Sequence, residues 1–197
     1  MKKKIMAIAL CTIIAVTAIA GSSLAWLQDT TETVVNTFTE GKVDIELFEH
    51  DYVPETNTLD TDAKVIANND YKMIPGQVLP KDPTVVVKAS SEACYVFIKV
   101  EEVNDVDTFL EYSIDTGVWT ALTGVDGVYY KKIDGFTAND TEFNVLTGKQ
   151  VTVNTVVDMD DMAGLTAATR PQLKFTAYAI QQIGSADAAE AWAKFGN

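Results

Sequence analysis

The sequence predicts an all-β fold: a jelly-roll-like antiparallel β-sandwich with a short C-terminal helix and loop excursions. Three observations carry that expectation. Apolar residues alternate with period two through most of the chain, turn residues separate the alternating runs, and no internal repeat divides them. Many short strands of this kind bury their apolar faces by packing as two layers.

The first element is a leader rather than a strand. Lys2, Lys3 and Lys4 precede an apolar stretch from Ile5 to Ala20, and small residues follow at Ser23 and Ala25. A basic start, an apolar centre and a small-x-small site are the three parts of a secretory signal peptide. The stretch is shorter than the roughly 20 residues a membrane-spanning helix requires, and Thr12 and Thr17 dilute it. Residues 1–25 are therefore expected to be a signal peptide, cut between Ala25 and Trp26, and residues 26–197 a single β-sandwich domain.

Strand expectations follow in order along that domain. A weak strand is expected at Thr33–Phe38. Val43, Ile45 and Leu47 alternate with Asp44, Glu46 and Phe48, a half-buried strand. His50–Asp70 is rich in Asp, Asn and Thr and reads as a long loop or excursion. Ile74-Pro75-Gly76 is a turn, since proline fixes the first central φ and glycine supplies the positive second one. Thr84–Ala89 is a weak strand. Val96, Ile98 and Val100 alternate with Tyr95, Phe97 and Lys99, and apolar content on both faces marks a central strand. Weak strands are expected at Leu110–Asp115 and Val128–Ile133, with turns at Gly124, Gly127 and Gly148. Val151, Val153 and Val157 share one face, and Leu173, Phe175, Ala177 and Ala179 share another. The last element is the one expected helix, capped by Ser185, with Ala188, Trp192 and Phe195 on one face and Gly196 as its stop.

Charge and cysteine content bound the function. The chain carries 15 basic and 28 acidic residues. Losing the three leader lysines leaves 12 basic against the same 28 acidic, a net charge of −16. Such a surface repels nucleic acid and anionic membranes. Cys11 leaves with the leader, so no disulfide can form within the remainder. Cys94, inside a strand run, reads as a buried inert thiol; a nucleophile or an intermolecular disulfide is the alternative.

Catalytic patterns are scarce, and no catalytic residue, metal ligand or cofactor is expected. His50 is the only histidine, so a helical zinc pair cannot form, and a solvated loop histidine is the reading preferred. No Gly-x-Ser-x-Gly elbow, phosphate loop or dinucleotide fingerprint is present. Asp158, Asp160 and Asp161, like Asp105 and Asp107, have carboxylates spaced as in calcium loops but lack the glycine and glutamate of an EF-hand, so they read as solvated loops. Trp119, Tyr129, Tyr130 and Phe136 would suit either a sugar-binding platform or cross-strand core packing, and the second is favoured.

Around the cleavage site the residues carry a family resemblance. Ser23-Leu-Ala-Trp-Leu-Gln-Asp-Thr30, followed by Asn36-Thr-Phe-Thr-Glu-Gly-Lys-Val-Asp-Ile45, resembles the start of the TasA/camelysin family. Met73-Ile-Pro-Gly-Gln77, Tyr95-Val-Phe-Ile-Lys99 and Leu173–Gln181 are similar to that family's turn, central strand and closing strand. The resemblance implies an exported protein of a Gram-positive bacterium, matured by a SipW-type signal peptidase and placed in the extracellular matrix or on the cell surface. It further implies a jelly-roll subunit of biofilm-matrix fibres, a head-to-tail homopolymer with itself as partner and room for an accessory matrix or anchor protein. In such fibres the N-terminal strand of one copy completes the sheet of the next.

The residues permit this independently, because a free N-terminal strand beside a sheet edge is the ingredient of β-augmentation. The candidate donor is Trp26–Phe38, with Trp26, Leu27, Val34, Val35 and Phe38 as its interface. Folding back as an ordinary first strand of a monomer is the alternative for this segment. Two other functions remain open: a camelysin-like surface metalloprotease, for which no zinc-binding pair is visible, and a non-polymerising adhesin or carbohydrate-binding module.

Overall fold

The ten-residue run Cys94–Val103 is apolar on both faces over most of its length, and in the computed structural model it becomes the central strand. The structure describes residues 40–65, 69–136 and 138–196. In chain order the strands are β1 (Ile45–Val53), β2 (Thr58–Val65), β3 (Val78–Pro80), β4 (Thr84–Val87), β5 (Cys94–Val103), β6 (Leu110–Glu111), β7 (Thr120–Ala121), β8 (Val128–Ile133), β9 (Thr141–Asn144), β10 (Gln150–Val153) and β11 (Gln172–Gln181). Among them lie three short helices, α1 (Val106–Phe109), α2 (Met159–Ala163) and α3 (Ala188–Ala193).

Two layers result, all antiparallel, as the alternation requires. One is β11-β5-β8-β7 and the other is β2-β1-β4-β9, continued by β3-β10-β6. The continuation is a bend rather than a break. Lys81 N–H donates to the Lys149 carbonyl at 2.8 Å and Val145 N–H to the Pro83 carbonyl at 2.9 Å, so β3–β4 and β9–β10 run side by side as two long bent strands. The fold is the all-β sandwich with a short C-terminal helix that the sequence predicts.

Period-two alternation builds the core directly. Cys94, Val96, Ile98 and Val100 point inward from β5 and meet Val85 and Val87 of β4, together with Trp119 and Val145. Tyr95 and Phe97 point outward, where bare sheet would leave them wet. Helix α3 covers them with Ala188, Ala191 and Trp192, and the Trp192 and Phe97 rings lie 5.2 Å apart. The helix therefore exists to seal a second apolar face. Its N-cap is Asp187, whose carboxylate accepts the Glu190 N–H, and not the expected Ser185. Gly196 stops it at φ 70°.

The expected loop His50–Asp70 is in part a hairpin. β1 runs on to Val53 and returns as β2, whose acids face solvent at the edge of the sheet. Polar composition suited an edge strand as well as a loop, and pairing decided between them. Helices α1 and α2 were also not expected. Asp158 caps α2 by accepting from the Asp160 and Asp161 N–H groups, and Asp161 accepts from the Asp158 N–H in return. The acids at 158, 160 and 161 are solvent-exposed as expected, but they form a capping box at a helix start and not a loop. Val157, expected to share a strand with Val151 and Val153, lies beyond the end of β10 yet is buried. The Leu110–Asp115 strand shortens to β6 plus one bridge from Ile114 to Leu146.

Candidate functional site: an open seam between β1 and β11

β11 is the longest exposed edge among the described residues. It pairs with β5 from Gln172 to Gln181, and no described strand lies along its other side. Across the sandwich β1 has a matching gap. β4 takes Ile45–Phe48 on one side, while β2 pairs only with Glu49–Val53 on the other. The free half of β1 and the free edge of β11 meet at one side of the sandwich.

Burial shows the consequence. The inward residues of β5 are at most 8% exposed. Those of β11, Leu173, Phe175, Ala177 and Ala179, and those of β1, Ile45 and Leu47, are packed against the same core but only half-buried. The core is finished on one side and unfinished on the other. Towards the start of β11 the seam widens into a cavity of about 1030 Å³ with an apolar floor that includes Leu47, Leu79, Val151, Leu173 and Phe175. Lys72, Arg170 and Lys174 stand at its exposed rim.

An ion pair and a side-chain hydrogen bond anchor the seam where the ladder between β1 and β4 ends. Lys81 Nζ reaches the two Glu49 oxygens at 2.7 and 3.0 Å. His50 donates its backbone N–H to Asp82 Oδ1 at 3.0 Å, and its ring Nδ1 lies 2.6 Å from Asp82 Oδ2. Asp82 is only 3% exposed, so its carboxylate requires these partners. The Tyr71 hydroxyl donates to Glu49 at 3.4 Å. Burial, helped by the Glu49 charge, raises the Tyr71 phenol well above its ordinary range, so it stays protonated. The Lys81 ammonium also lies 5.1 Å from the Tyr71 ring centre and 5.5 Å from that of Phe175. Side chains here replace the backbone ladder that the bend interrupts.

His50 is therefore neither in a loop nor solvated: it sits in β1, with Asp82 as its partner. Among the described residues no group of three or more His, Cys, Asp or Glu side chains is placed to hold a metal ion. The four expected aromatics do not share a platform. Trp119 is buried and donates its indole N–H to the Asn144 carbonyl at 2.8 Å. Tyr129 packs on the inner core and Tyr130 under α3, on opposite faces of β8, while Phe136 projects from a loop at 63% exposure. Cys94 is buried, and desolvation pushes its thiol to about 11, the inert state expected of it.

The sequence-derived site residues Ser23, Ala25, Trp26, Leu27, Val34, Val35 and Phe38, with the expected strand Thr33–Phe38, lie outside the described residues. Sequence reasoning missed the seam between β1 and β11. The alternation of β11 was legible, but nothing local marked it as an edge. The only available signal for the ionic anchor was Lys81-Asp82 standing between apolar segments, opposite Glu49-His50.

A scan against protein-family models, a search of curated proteins and a search of solved structures each give no match for this chain.

Proposed function

We propose that this protein is an exported, non-enzymatic structural subunit of extracellular or cell-surface fibres in a biofilm matrix. Cleavage after Ala25 by a SipW-type signal peptidase would free Trp26–Phe38 as an arm, and the seam of another copy would accept it as the missing strand. The observation that carries this reading is the unfinished core between β1 and β11. Two free edges flank half-buried apolar residues, and an added strand would satisfy the backbone groups and cover those side chains together.

Polarity supports the same reading. The described chain begins beside the β4–β5 turn: Glu92 N–H donates to the Lys42 carbonyl and Lys88 N–H to the Asp44 carbonyl, each at 2.9 Å. The cavity opens at the start of β11, towards the opposite end of the sandwich. An arm that leaves one end and a seam that is widest at the other make a head-to-tail contact, which generates open filaments rather than closed dimers. Apolar burial by the arm is nearly offset by the cost of ordering it, so assembly is slow or assisted.

Deleting Trp26–Phe38 from the secreted protein tests the proposal. The expected product is a folded, soluble monomer that forms no fibres in electron micrographs. Fibres from the truncated protein equal to those of the intact one would overturn the donor assignment.

A further inference from the structure

We propose that the seam selects its occupant by charge: Arg170, Lys174 and Lys72 at the rim engage Asp29 and Glu32 in the arm of another copy. The inference rests on the strand-donation reading and adds what distinguishes a correct arm from any other extended peptide.

The argument begins with an imbalance. The chain carries 28 acids and 15 bases, so acids are plentiful around its cations. Lys42, Lys64, Lys81, Lys88, Lys99 and Lys132 are all ion-paired. Six other cations among the described residues make no ion pair with a described residue; Lys131 lies over the Phe143 ring, Lys194 bonds Ser185 and Lys149 stands at a turn, while Lys72, Arg170 and Lys174 all line the cavity at the seam. The acids that also line it are mostly engaged: Glu49 holds Lys81, and Glu101 holds Lys99 at 3.1 Å, leaving Asp70. An acidic chain thus keeps three cations without ion pairs to described residues around the cavity at the β11 edge.

Arg170 is the chain's only arginine, and its backbone is held in place. Its N–H donates to the Thr166 carbonyl at 3.0 Å, and its carbonyl accepts from the Asn104 side chain at 2.8 Å. A guanidinium on a fixed backbone, exposed and two residues before β11 begins, is set to grip a carboxylate through both nitrogens. The arm supplies the complement. Asp29 and Glu32 are the only charged side chains between Trp26 and Phe38. In an extended strand Glu32 falls on the same face as Val34 and Phe38, and Asp29 on the face of Leu27 and Val35. Whichever face turns to the core, one of the two carboxylates is left on the outward face, the side on which Lys174 is exposed.

The test uses three variants of the full secreted protein, assembled at low salt and followed by light scattering and electron microscopy. One carries Asp29→Lys with Glu32→Lys, the second Arg170→Glu with Lys174→Glu, and the third all four changes. Each reversed protein alone should need at least about tenfold more protein to form fibres, because like charges then face one another. An equimolar mixture of the first two should regain fibres in which the proteins alternate, since each arm suits the other's seam. The fourfold variant should assemble alone. Wild-type assembly should weaken with added salt.

Fibre formation by both reversed proteins at wild-type concentrations would overturn charge selection while leaving strand donation intact, as would a mixture that fails to co-assemble. Failure of the underlying reading looks different: fibres from the arm-deleted protein, or a wild type that stays monomeric throughout. Circular dichroism checks that the groove variant is folded. If it is not, Arg170→Gln with Lys174→Gln replaces it, and the arm variant, altered outside the described residues, still carries the test.

Discussion

Cys94 shows how a single buried group ties this fold to solution conditions. Its thiol is fully buried on the inner face of β5, and desolvation raises its pKa from 9.0 to about 11. The neutral thiol is the form the folded protein tolerates, whereas the unfolded chain loses that proton first as pH rises. This contribution to stability is intact below about pH 9 and declines as pH climbs towards 11. Urea midpoints measured from pH 8 to pH 11 should fall more steeply for the intact protein than for Cys94→Ala. Equal slopes would show that the thiol is not the group responsible. The same burial should leave Cys94 unreactive towards a thiol reagent near neutral pH until denaturant is added. His50 teaches the complementary lesson. Its identity was plain in the sequence, but its environment was not, because Asp82, 32 positions later, supplies it.

At the scale of elements, α3 is the piece whose role is most easily checked. Trp192 lies 5.2 Å from Phe97 and 5.1 Å from Tyr178, ring to ring, with Phe195 packed beside it on the same two rings. Trp192→Ala should destabilise the protein by about 3–5 kcal/mol and increase binding of a hydrophobic dye, both measured on the purified domain. A change below about 1 kcal/mol would mean the helix is incidental to the sheet. This helix was legible in the sequence because its apolar residues recur at helical spacing. β5, β8 and β11 were legible through alternation. β2 was not, since in Thr58–Val65 only Leu59, Ala63 and Val65 are apolar among two aspartates, a lysine and two threonines; pairing with β1 makes it a strand. The short β3 and β9 were hidden for a related reason. Each is half of a bent strand, and the bend falls at Lys81–Pro83 and Val145–Lys149, where side-chain ionic contacts and a turn take over from the ladder. The seam was illegible because an edge is a property of the assembled sheet, not of any run of residues.

For the whole molecule, the proposed assembly makes each subunit both donor and acceptor, and that can be probed without altering the protein. A synthetic peptide spanning Trp26–Phe38, added in excess to the mature protein, should occupy vacant seams and shorten or prevent fibres. A peptide of the same composition in scrambled order should do neither. Unchanged fibre length with the native peptide would count against the seam as acceptor. In that proposal a net charge of −16 without the expected leader would keep free subunits apart in solution, so growth by specific docking would meet little competition from disordered clumping.

The ionic anchor of Glu49, His50, Lys81 and Asp82 has a mechanical consequence. Tension applied along a filament would pull on the subunit through β11 at one point and through the start of β1 at another. Between them the stretch where backbone pairing lapses is the natural place to yield, yet it is there that the molecule places the Lys81–Glu49 ion pair and the hydrogen bond between His50 and Asp82. Those contacts act as a weld across the joint, so a stretched thread should part between subunits, where the tether can re-form, before any subunit tears open.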